Sequence, residues 1–446
     1  MPLLRSVWPQ GGLWRHGDFL KLWSAETISQ VGSQVSNLAL PLVAIITLDV
    51  SPFEVALLTV IGFAPFILIS LPAGVWVDRL PRRPILITAD VGRAALLASI
   101  PIAYAVEALT IWQLYAVGFA FGVLTVFFDV AYQSYLPSLV DRERLVEGNS
   151  KLEISRSGAQ LGGPALAGGL VEALTAPGAV LVDAVSFVAS GIFLARIRTR
   201  ESVPRREGRR SPLAGMRAEL AEGLRYVLGH PYLRWIAAST ATFNFFGNLM
   251  WTMFLVYAVR ELELSPATIG IVFAVGNVGY LAGAVLASRV PRWIGVGPTI
   301  VLGAATGAAA LLIPLAPESG PIPFLIAAQI VMSLGLPLYN VTQVSLRQTI
   351  TPERLQGRMN SVMRFIVWGV IPLGNLAGGA LASAIDLRAA IWAGAVGISF
   401  AFLPVLLSPV RTLRQMPEPA AEPLATEAAA PPVLTSPVTA HEPPER

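Results

Sequence analysis

The chain has 446 residues, of which 54% are hydrophobic and only 13% are charged. Soluble globular proteins carry about a quarter charged residues, so this composition excludes a soluble domain and indicates many membrane-spanning helices. The formal net charge of +4 gives no basis for nucleic-acid binding. Cysteine is absent and the three histidines lie outside the predicted spans, so we expect no metal site, no cofactor and no membrane-embedded enzyme.

Twelve apolar segments predict an all-α polytopic membrane protein with twelve transmembrane helices, because about 20 apolar residues are enough for a helix to cross a bilayer. We number these segments as spans 1 to 12. In chain order they lie at about 19–47, 53–77, 84–106, 111–135, 150–173, 177–197, 232–259, 266–288, 296–316, 321–346, 361–385 and 389–409.

The spans divide the chain into two six-helix halves. The predicted segments are a cytoplasmic N-terminus, the N-terminal half, a cytoplasmic linker, the C-terminal half and a disordered cytoplasmic tail, at 1–18, 19–197, 198–230, 231–409 and 410–446. The linker contains an amphipathic pattern at 213–228, which predicts a helix on the membrane surface. The N-terminal segment lacks the apolar stretch of a cleavable signal, and the tail is rich in Pro, Ala and Glu.

The positions of the basic residues predict the orientation of the protein in the membrane. They concentrate in the loops after even-numbered spans and at both termini, which the positive-inside rule assigns to the cytoplasm. We call this side the predicted cytoplasmic face. The loops after odd-numbered spans form the predicted external face, whose basic residues are Arg260 and Arg388.

The two halves also repeat each other in sequence. A shift of about 210 residues places 71–83 over 281–293, with Arg79 on Arg289 and Arg82 on Arg292. An internal repeat of this length in a membrane protein predicts two pseudo-symmetric halves around a binding site near the membrane midplane.

The loop between spans 2 and 3 reads G-V-W-V-D-R-L-P-R-R-P at 74–84. Its charges must lie at the membrane surface, because lipid cannot solvate them. The spacing resembles the signature loop G-x-x-x-D-R-x-x-R-R of the major facilitator superfamily. The resemblance implies a gating loop formed by Gly74, Asp78, Arg79, Arg82 and Arg83. Gly74 is expected to allow two helices to approach closely.

Span 1 carries polar residues on one helical face, which lipid would disfavour and a water-filled cavity would accept. These residues are Glu26, Gln30, Gln34 and Asn37. We expect them to line the path of a substrate or of protons, and Glu26 suits reversible proton binding or recognition of a cation. The alternative is that Glu26 extends to the cytoplasmic interface.

Three further charged groups lie in spans 3, 4 and 6. Asp90 and Arg93 are three residues apart on span 3, which favours an intramembrane ion pair. Asp129 lies toward the cytoplasmic end of span 4, and the family resemblance implies that it pairs with the loop arginines as a gate, with proton carriage as the second role. Asp183 is interpreted as an acid near the external interface.

Span 5 contains the small-residue stretch G-A-Q-L-G-G-P-A-L-A-G-G. Its residues Gly158, Gly162, Gly163, Pro164, Gly168 and Gly169 resemble the helix 5 motif of drug–proton antiporters, with one additional residue after the proline. An ordinary packing face for a neighbouring helix explains them equally well. The repeat also suggests cytoplasmic gates in which Glu153 meets Arg289 and Arg292, while Asp78 meets the start of span 11 near Arg364.

The second half offers amide and aromatic groups in place of acids. The candidates for its side of the pathway are Asn244, Asn248, Tyr339 and Gln343. Acids on one side of a cavity and amides or aromatic rings on the other would suit a small amphipathic substrate.

The whole membrane region resembles the major facilitator superfamily. The stretches F-L-K-L-W-S-A-E-T-I-S-Q-V-G and F-F-D-V-A-Y-Q-S-Y-L-P-S-L-V are similar to its bacterial macrolide-efflux and secretion-effector branch. The resemblance implies an exporter of a drug, natural product or siderophore, driven by the proton gradient across the bacterial cytoplasmic membrane. We expect the protein to be a monomer. The alternatives are a proton-coupled importer and a non-transporting membrane sensor.

Overall fold

The computed structural model describes residues 12–77, 80–141, 144–199 and 213–418. Asp78 and Arg79 of the predicted gating loop lie outside these residues, as do parts of the predicted N-terminal segment, linker and tail.

The spans of the N-terminal half are Gly17–Leu42, Pro52–Leu68 continued by Ser70–Val77, Arg82–Ala105, Ile111–Leu139, Leu145–Leu174 and Ala176–Ala195. Those of the C-terminal half are Leu233–Arg260, Pro266–Gly276 continued by Val278–Leu286, Val296–Ala305 continued by Thr306–Leu312, Ile322–Ile350, Glu353–Ala384, and Leu387–Ser399 continued by Leu403–Leu406.

Nine helices in the described ranges are long and apolar enough to cross a membrane. Spans 2 and 9 are built on the shorter apolar helices Pro52–Leu68 and Val296–Leu312. Span 5 is a 30-residue helix, Leu145–Leu174, whose polar residues reduce its hydropathy. With these three helices the structure is consistent with the predicted count of twelve.

Spans 2 and 8 begin with the same local signal. Ser51 accepts a hydrogen bond from the Glu54 backbone N–H, and Ser265 accepts one from the Thr268 backbone N–H, each at 3.3 Å. A proline follows each serine at the start of the helix, where its missing N–H costs nothing. Equivalent spans in the two halves therefore start in the same way.

The helices of the two halves pack in the same pattern. Span 1 packs on spans 5 and 6, span 3 on spans 4 and 6, and span 2 on span 4. The equivalent contacts in the second half join span 7 to spans 11 and 12, span 9 to spans 10 and 12, and span 8 to span 10. The halves meet where span 5 packs on span 8 and span 2 on span 11. This arrangement confirms two pseudo-symmetric six-helix halves.

Among the residues that the structure describes, the apolar core is continuous between the halves only toward the predicted external face. One large cluster there joins buried residues of both halves, such as Leu42, Tyr115 and Phe254. Toward the predicted cytoplasmic face, each half instead has a core of its own, around Tyr135 in the first half and Met359 in the second. The halves are therefore packed together at the external ends and form separate cores at the cytoplasmic ends.

The linker helix, Leu213–Gly229, packs against span 11. Glu222 forms an ion pair with Arg358, and the Tyr226 hydroxyl donates a hydrogen bond to the Ile350 carbonyl oxygen at 3.2 Å. Gly223 permits this contact, because a Cβ atom there would lie 3.1 Å from the Arg358 carbonyl oxygen. The sequence predicted a helix on the membrane surface and did not predict that this helix packs mainly against span 11.

Candidate functional site

The N-terminal half contains a cavity of about 400 Å³ between spans 1, 2, 3 and 4. Its wall combines charged groups, hydroxyls and amides with aromatic rings. The polar lining residues are Glu26, Ser29, Gln30, Ser33, Ser36, Asn37, Thr59, Arg93, Thr125 and Asp129, and the aromatic ones are Phe66, Phe121 and Phe128.

Span 1 provides one face of this cavity. Glu26 is only 8% exposed and its Oε1 atom accepts a hydrogen bond from Gln30 Nε2 at 2.8 Å, so its side chain lies at the cavity rather than at the membrane interface. Asn37 is exposed on the same face. Gln34 is turned about 80° from Glu26 around the helix and packs on Gly163 of span 5. The structure therefore separates Gln34 from the other three predicted residues.

Arg93 connects the cavity to a buried acid. Its guanidinium forms an ion pair with Asp90, which is completely buried behind the cavity wall. The guanidinium carbon also lies 4.2 Å from the ring centroids of both Phe128 and Phe187. Cation–π contacts of a desolvated arginine contribute about 2 kcal/mol or more, so the two rings and the acid together hold the guanidinium in place.

Asp129 shares the cavity with Glu26 and Arg93 and is exposed within it. None of the ion pairs between described residues includes Asp129. Of the loop arginines proposed to meet it, Arg82 is buried, and Arg83 donates hydrogen bonds to the Leu194 and Ala195 carbonyl oxygens at 3.1 and 2.6 Å. The gating role of Asp129 remains a prediction.

Asp183 is completely buried, which corrects its interpretation as an interfacial acid. Its Oδ1 atom accepts a hydrogen bond from Ser186 Oγ at 2.8 Å. Gly32 of span 1 lies directly against this pair. The acid is buried because a residue without a side chain lets span 1 cover it, and this contact is not visible in the hydropathy of span 6.

The predicted glycines divide into two groups. Gly163 and Gly168 make close contacts with Gln34 and with the Pro266 carbonyl oxygen, and the Pro164 carbonyl oxygen lies against Gly270 of span 8. A Cβ atom on the others would meet no described atom within 4 Å, and these residues are Gly74, Gly158, Gly162 and Gly169. In this conformation Gly74 is therefore not a site of close helix approach, and only part of the span 5 motif is a packing surface.

The hydrogen bonds that join the two halves in the described residues lie from the middle of the bundle to its predicted external end. Arg260 Nη2 donates to Asp49 Oδ1 at 2.6 Å, and the Ala267 N–H donates to Glu172 Oε2 at 3.0 Å. Deeper in the bundle, Asn277 Nδ2 donates to the Gln160 carbonyl oxygen at 2.9 Å. These contacts tie together the ends of the bundle at which the core is continuous.

The predicted cytoplasmic gate residues are apart in this conformation. Glu153, Arg289, Arg292 and Arg364 are all exposed. No ion pair within the described ranges connects Glu153 to either Arg289 or Arg292. Arg364 instead lies over the Trp368 ring, with its guanidinium carbon 5.1 Å from the ring centroid.

The C-terminal half contains a second cavity, of about 230 Å³. Asn244 and Tyr339 line it as predicted, together with Trp368 and Met332, and the Tyr339 hydroxyl lies 2.6 Å from Thr240 Oγ1. The polar residues of this lining are all neutral, in contrast to the charged cavity of the first half. Two predicted residues are not part of it: Asn248 donates to the Asn244 carbonyl oxygen, and Gln343 is buried and accepts from Arg347.

Comparison with known proteins identifies the family. A model of the transmembrane secretion effector family matches residues 12–438. The multidrug efflux pump Tap of Mycolicibacterium fortuitum is 26% identical over 419 residues, which cover 88% of this chain and 97% of Tap. Macrolide efflux protein A of Streptococcus pyogenes is 23% identical, over 86% of this chain and 91% of that protein.

Solved structures give the same fold. A bacterial homologue of the iron transporter ferroportin in its inward-facing state has a TM-score of 0.66 at 19% identity, covering 89% of this chain and 99% of that one. Its outward-facing state gives a TM-score of 0.53 at 18% identity, with coverage of 87% and 98%. With a family match over nearly its whole length, this chain belongs to the transmembrane secretion effector family of major facilitator superfamily transporters, and it is a multi-pass membrane transporter rather than an enzyme.

Proposed function

We propose that this protein exports amphipathic compounds from the cytoplasm in exchange for protons. The observation that carries the proposal is the cavity of the first half, where Glu26 and Asp129 share a wall with Phe66, Phe121 and Phe128. Carboxylates attract a cationic group, and aromatic rings bind both cations and apolar surface. An organic cation with an apolar body matches this lining, and Tap and macrolide efflux protein A are named as drug efflux proteins.

Proton exchange is proposed from the balance of charge. Four carboxyl groups, those of Glu26, Asp90, Asp129 and Asp183, interact electrostatically with Arg93. Asp129 also interacts with Arg156, so two arginines face four acids. Arg93 forms its ion pair with Asp90. Uncompensated charges in a protein interior are unfavourable, so this group favours binding of protons or of a cationic substrate. Competition between the two is the basis of antiport.

Alternating access is proposed from the way in which the halves meet. The continuous core and the Arg260–Asp49 ion pair lie toward the predicted external face, so we interpret this conformation as open to the cytoplasm. Closing of the cytoplasmic side would bring Glu153 to Arg289 or Arg292, and Asp78 to span 11 near Arg364. Reversal of the charge at Glu153 should then impair transport and be rescued by reversal at one of these arginines. Absence of rescue in the transport assay would remove this gate.

The direction of transport can be measured in inverted bacterial membrane vesicles, in which export appears as accumulation. We expect labelled tetraphenylphosphonium or a labelled macrolide to accumulate when respiration acidifies the interior, and a protonophore to abolish the accumulation. Asp129→Asn should lower it, whereas Glu261→Gln, a change of an exposed acid on the predicted external face, should not. Energised depletion of the compound from the vesicles would instead identify an importer.

A further inference from the structure

Asp183 is a buried acid that the cavity lining does not include. Its Oδ1 atom accepts from Ser186, whereas Oδ2 has no hydrogen-bond partner in the part of the chain that the structure describes. Span 1 closes tightly over the group, because a Cβ atom on Gly32 would collide with Asp183 Oδ1 and Ser186 Oγ. A buried carboxylate with an unpartnered oxygen is unfavourable, so the surroundings of Asp183 favour a bound proton.

The charged groups around Asp183 supply one positive charge for two acids. From span 3, Asp90 and Arg93 face it, and both interact with it electrostatically. Arg93 forms an ion pair with Asp90, and the buried Ser190 hydroxyl adjoins the Asp90 carboxyl group. From span 1, Gly32 and Ser36 adjoin Asp183, and Glu26 faces the cavity beyond them. With both aspartates ionised, one negative charge would be uncompensated.

Ser36 lies between Asp183 and the cavity. It lines the cavity wall and adjoins the Asp183 carboxyl group. Its hydroxyl is buried and does not meet hydrogen-bond geometry with any described group. A hydroxyl is both donor and acceptor, so Ser36 can accept a proton from Asp183 and pass its own proton to water in the cavity.

We propose that Asp183 is a buried proton-binding site, connected to the substrate cavity through Ser36 and coupled to it by Arg93. The inference rests on the proposed proton exchange and names the group that carries the proton. When a cation binds at Glu26 and Asp129, it competes with Arg93 for their negative charge, and Arg93 then stabilises the ionised Asp90 and Asp183. The Asp183 O–H bond breaks, its proton reaches cavity water through Ser36, and the carboxylate remains. One cation has entered and one proton has left.

Infrared difference spectroscopy of the purified protein in lipid, with and without tetraphenylphosphonium, tests this site directly. The wild type should show a carboxylic acid C=O band that is lost on binding, and Asp183→Asn should lack the band while still binding labelled tetraphenylphosphonium. Ser36→Ala should keep the band but slow its hydrogen–deuterium exchange by about 10²-fold, as expected for loss of a positioned proton-transfer group. Glu261→Gln is the control and should leave both properties unchanged.

A band that persists in Asp183→Asn, or no carboxylic acid band in the wild type, would overturn the proposal. If Asp183→Asn does not fold, Ser36→Ala decides: exchange at the wild-type rate overturns the proposal and slower exchange supports it. If the band is assigned to Asp183 but the wild type moves no protons in vesicles, the proton-binding site is supported and the proposed antiport is contradicted. If Asp183→Asn exchanges protons in vesicles as well as the wild type does, Asp183 is not the proton-binding site, and the antiport function stands.

Discussion

Arg93 occupies the boundary between the substrate cavity and the buried acids of the first half. Its guanidinium forms an ion pair with Asp90, and the guanidinium carbon lies 4.2 Å from the ring centroids of Phe128 and Phe187. The same side chain lines the cavity that contains Glu26 and Asp129. This buried arginine therefore acts electrostatically both on the acids that line the cavity and on those behind its wall.

Replacing Arg93 with glutamine should destabilise the protein by about 3 to 5 kcal/mol, because it leaves Asp90 buried without its ion-pair partner. The double variant Arg93→Gln, Asp90→Asn should recover most of this loss, since no unpaired charge then remains. Thermal unfolding of the purified variants checks both expectations. A single variant as stable as the wild type, or a double variant no better than the single one, would contradict this account of Arg93.

Helical periodicity was sufficient to predict part of this site. Glu26, Gln30 and Asn37 lie on one face of span 1, and that face does line the cavity. Periodicity could not reveal which neighbouring helix covers a given face. Gln34 and Asp183 were misplaced for this reason, because the close contacts at Gly163 and Gly32 that decide their surroundings come from other helices.

At the scale of helices, the contact between spans 5 and 8 depends on a glycine in each helix at the point where the two backbones meet. Gly168 faces the Pro266 carbonyl oxygen, and Gly270 faces Pro164, so these helices approach backbone to backbone. The adjacent Gly169 faces open space. The two neighbouring glycines therefore form a matched pair for testing this contact.

Gly168→Val should weaken the closed external contact by about 1 to 3 kcal/mol through overpacking, whereas Gly169→Val should not. A coupling of this size corresponds to an approximately 5- to 150-fold shift in population. The chain has no cysteine, so Asn37→Cys can report the opening through its reaction with an impermeant maleimide added from outside. Equal reaction rates in the two valine variants would contradict a role for the span 5 and span 8 contact in closure.

Hydropathy located the spans but not their ends. Span 5 begins at Leu145 and span 11 at Glu353, five or more residues before the apolar segments that predicted them. A helix can continue beyond the bilayer because its backbone hydrogen bonds are internal, and here neighbouring segments support the extensions. The Leu13 N–H donates to Glu147 at 3.0 Å, and Arg358 pairs with Glu222 of the linker helix.

At the scale of the whole molecule, the two halves share a fold but differ in chemistry. The packing of spans 1 to 6 is repeated in spans 7 to 12, while charged groups line the cavity of the first half and neutral groups line that of the second. The repeated sequence predicted the symmetry, since Arg79 and Arg82 recur as Arg289 and Arg292. We propose that the first half binds protons and cationic groups, and that Asn244, Tyr339 and Trp368 of the second half contact the rest of the substrate.

Proton movement on addition of substrate is the most direct test of the proposed antiport. Inverted membrane vesicles with an acid interior, read with a pH-quenched dye, should release protons when tetraphenylphosphonium is added, and Glu26→Gln should reduce the release. No proton release, while labelled tetraphenylphosphonium still moves down its own gradient, would contradict antiport and identify a uniporter.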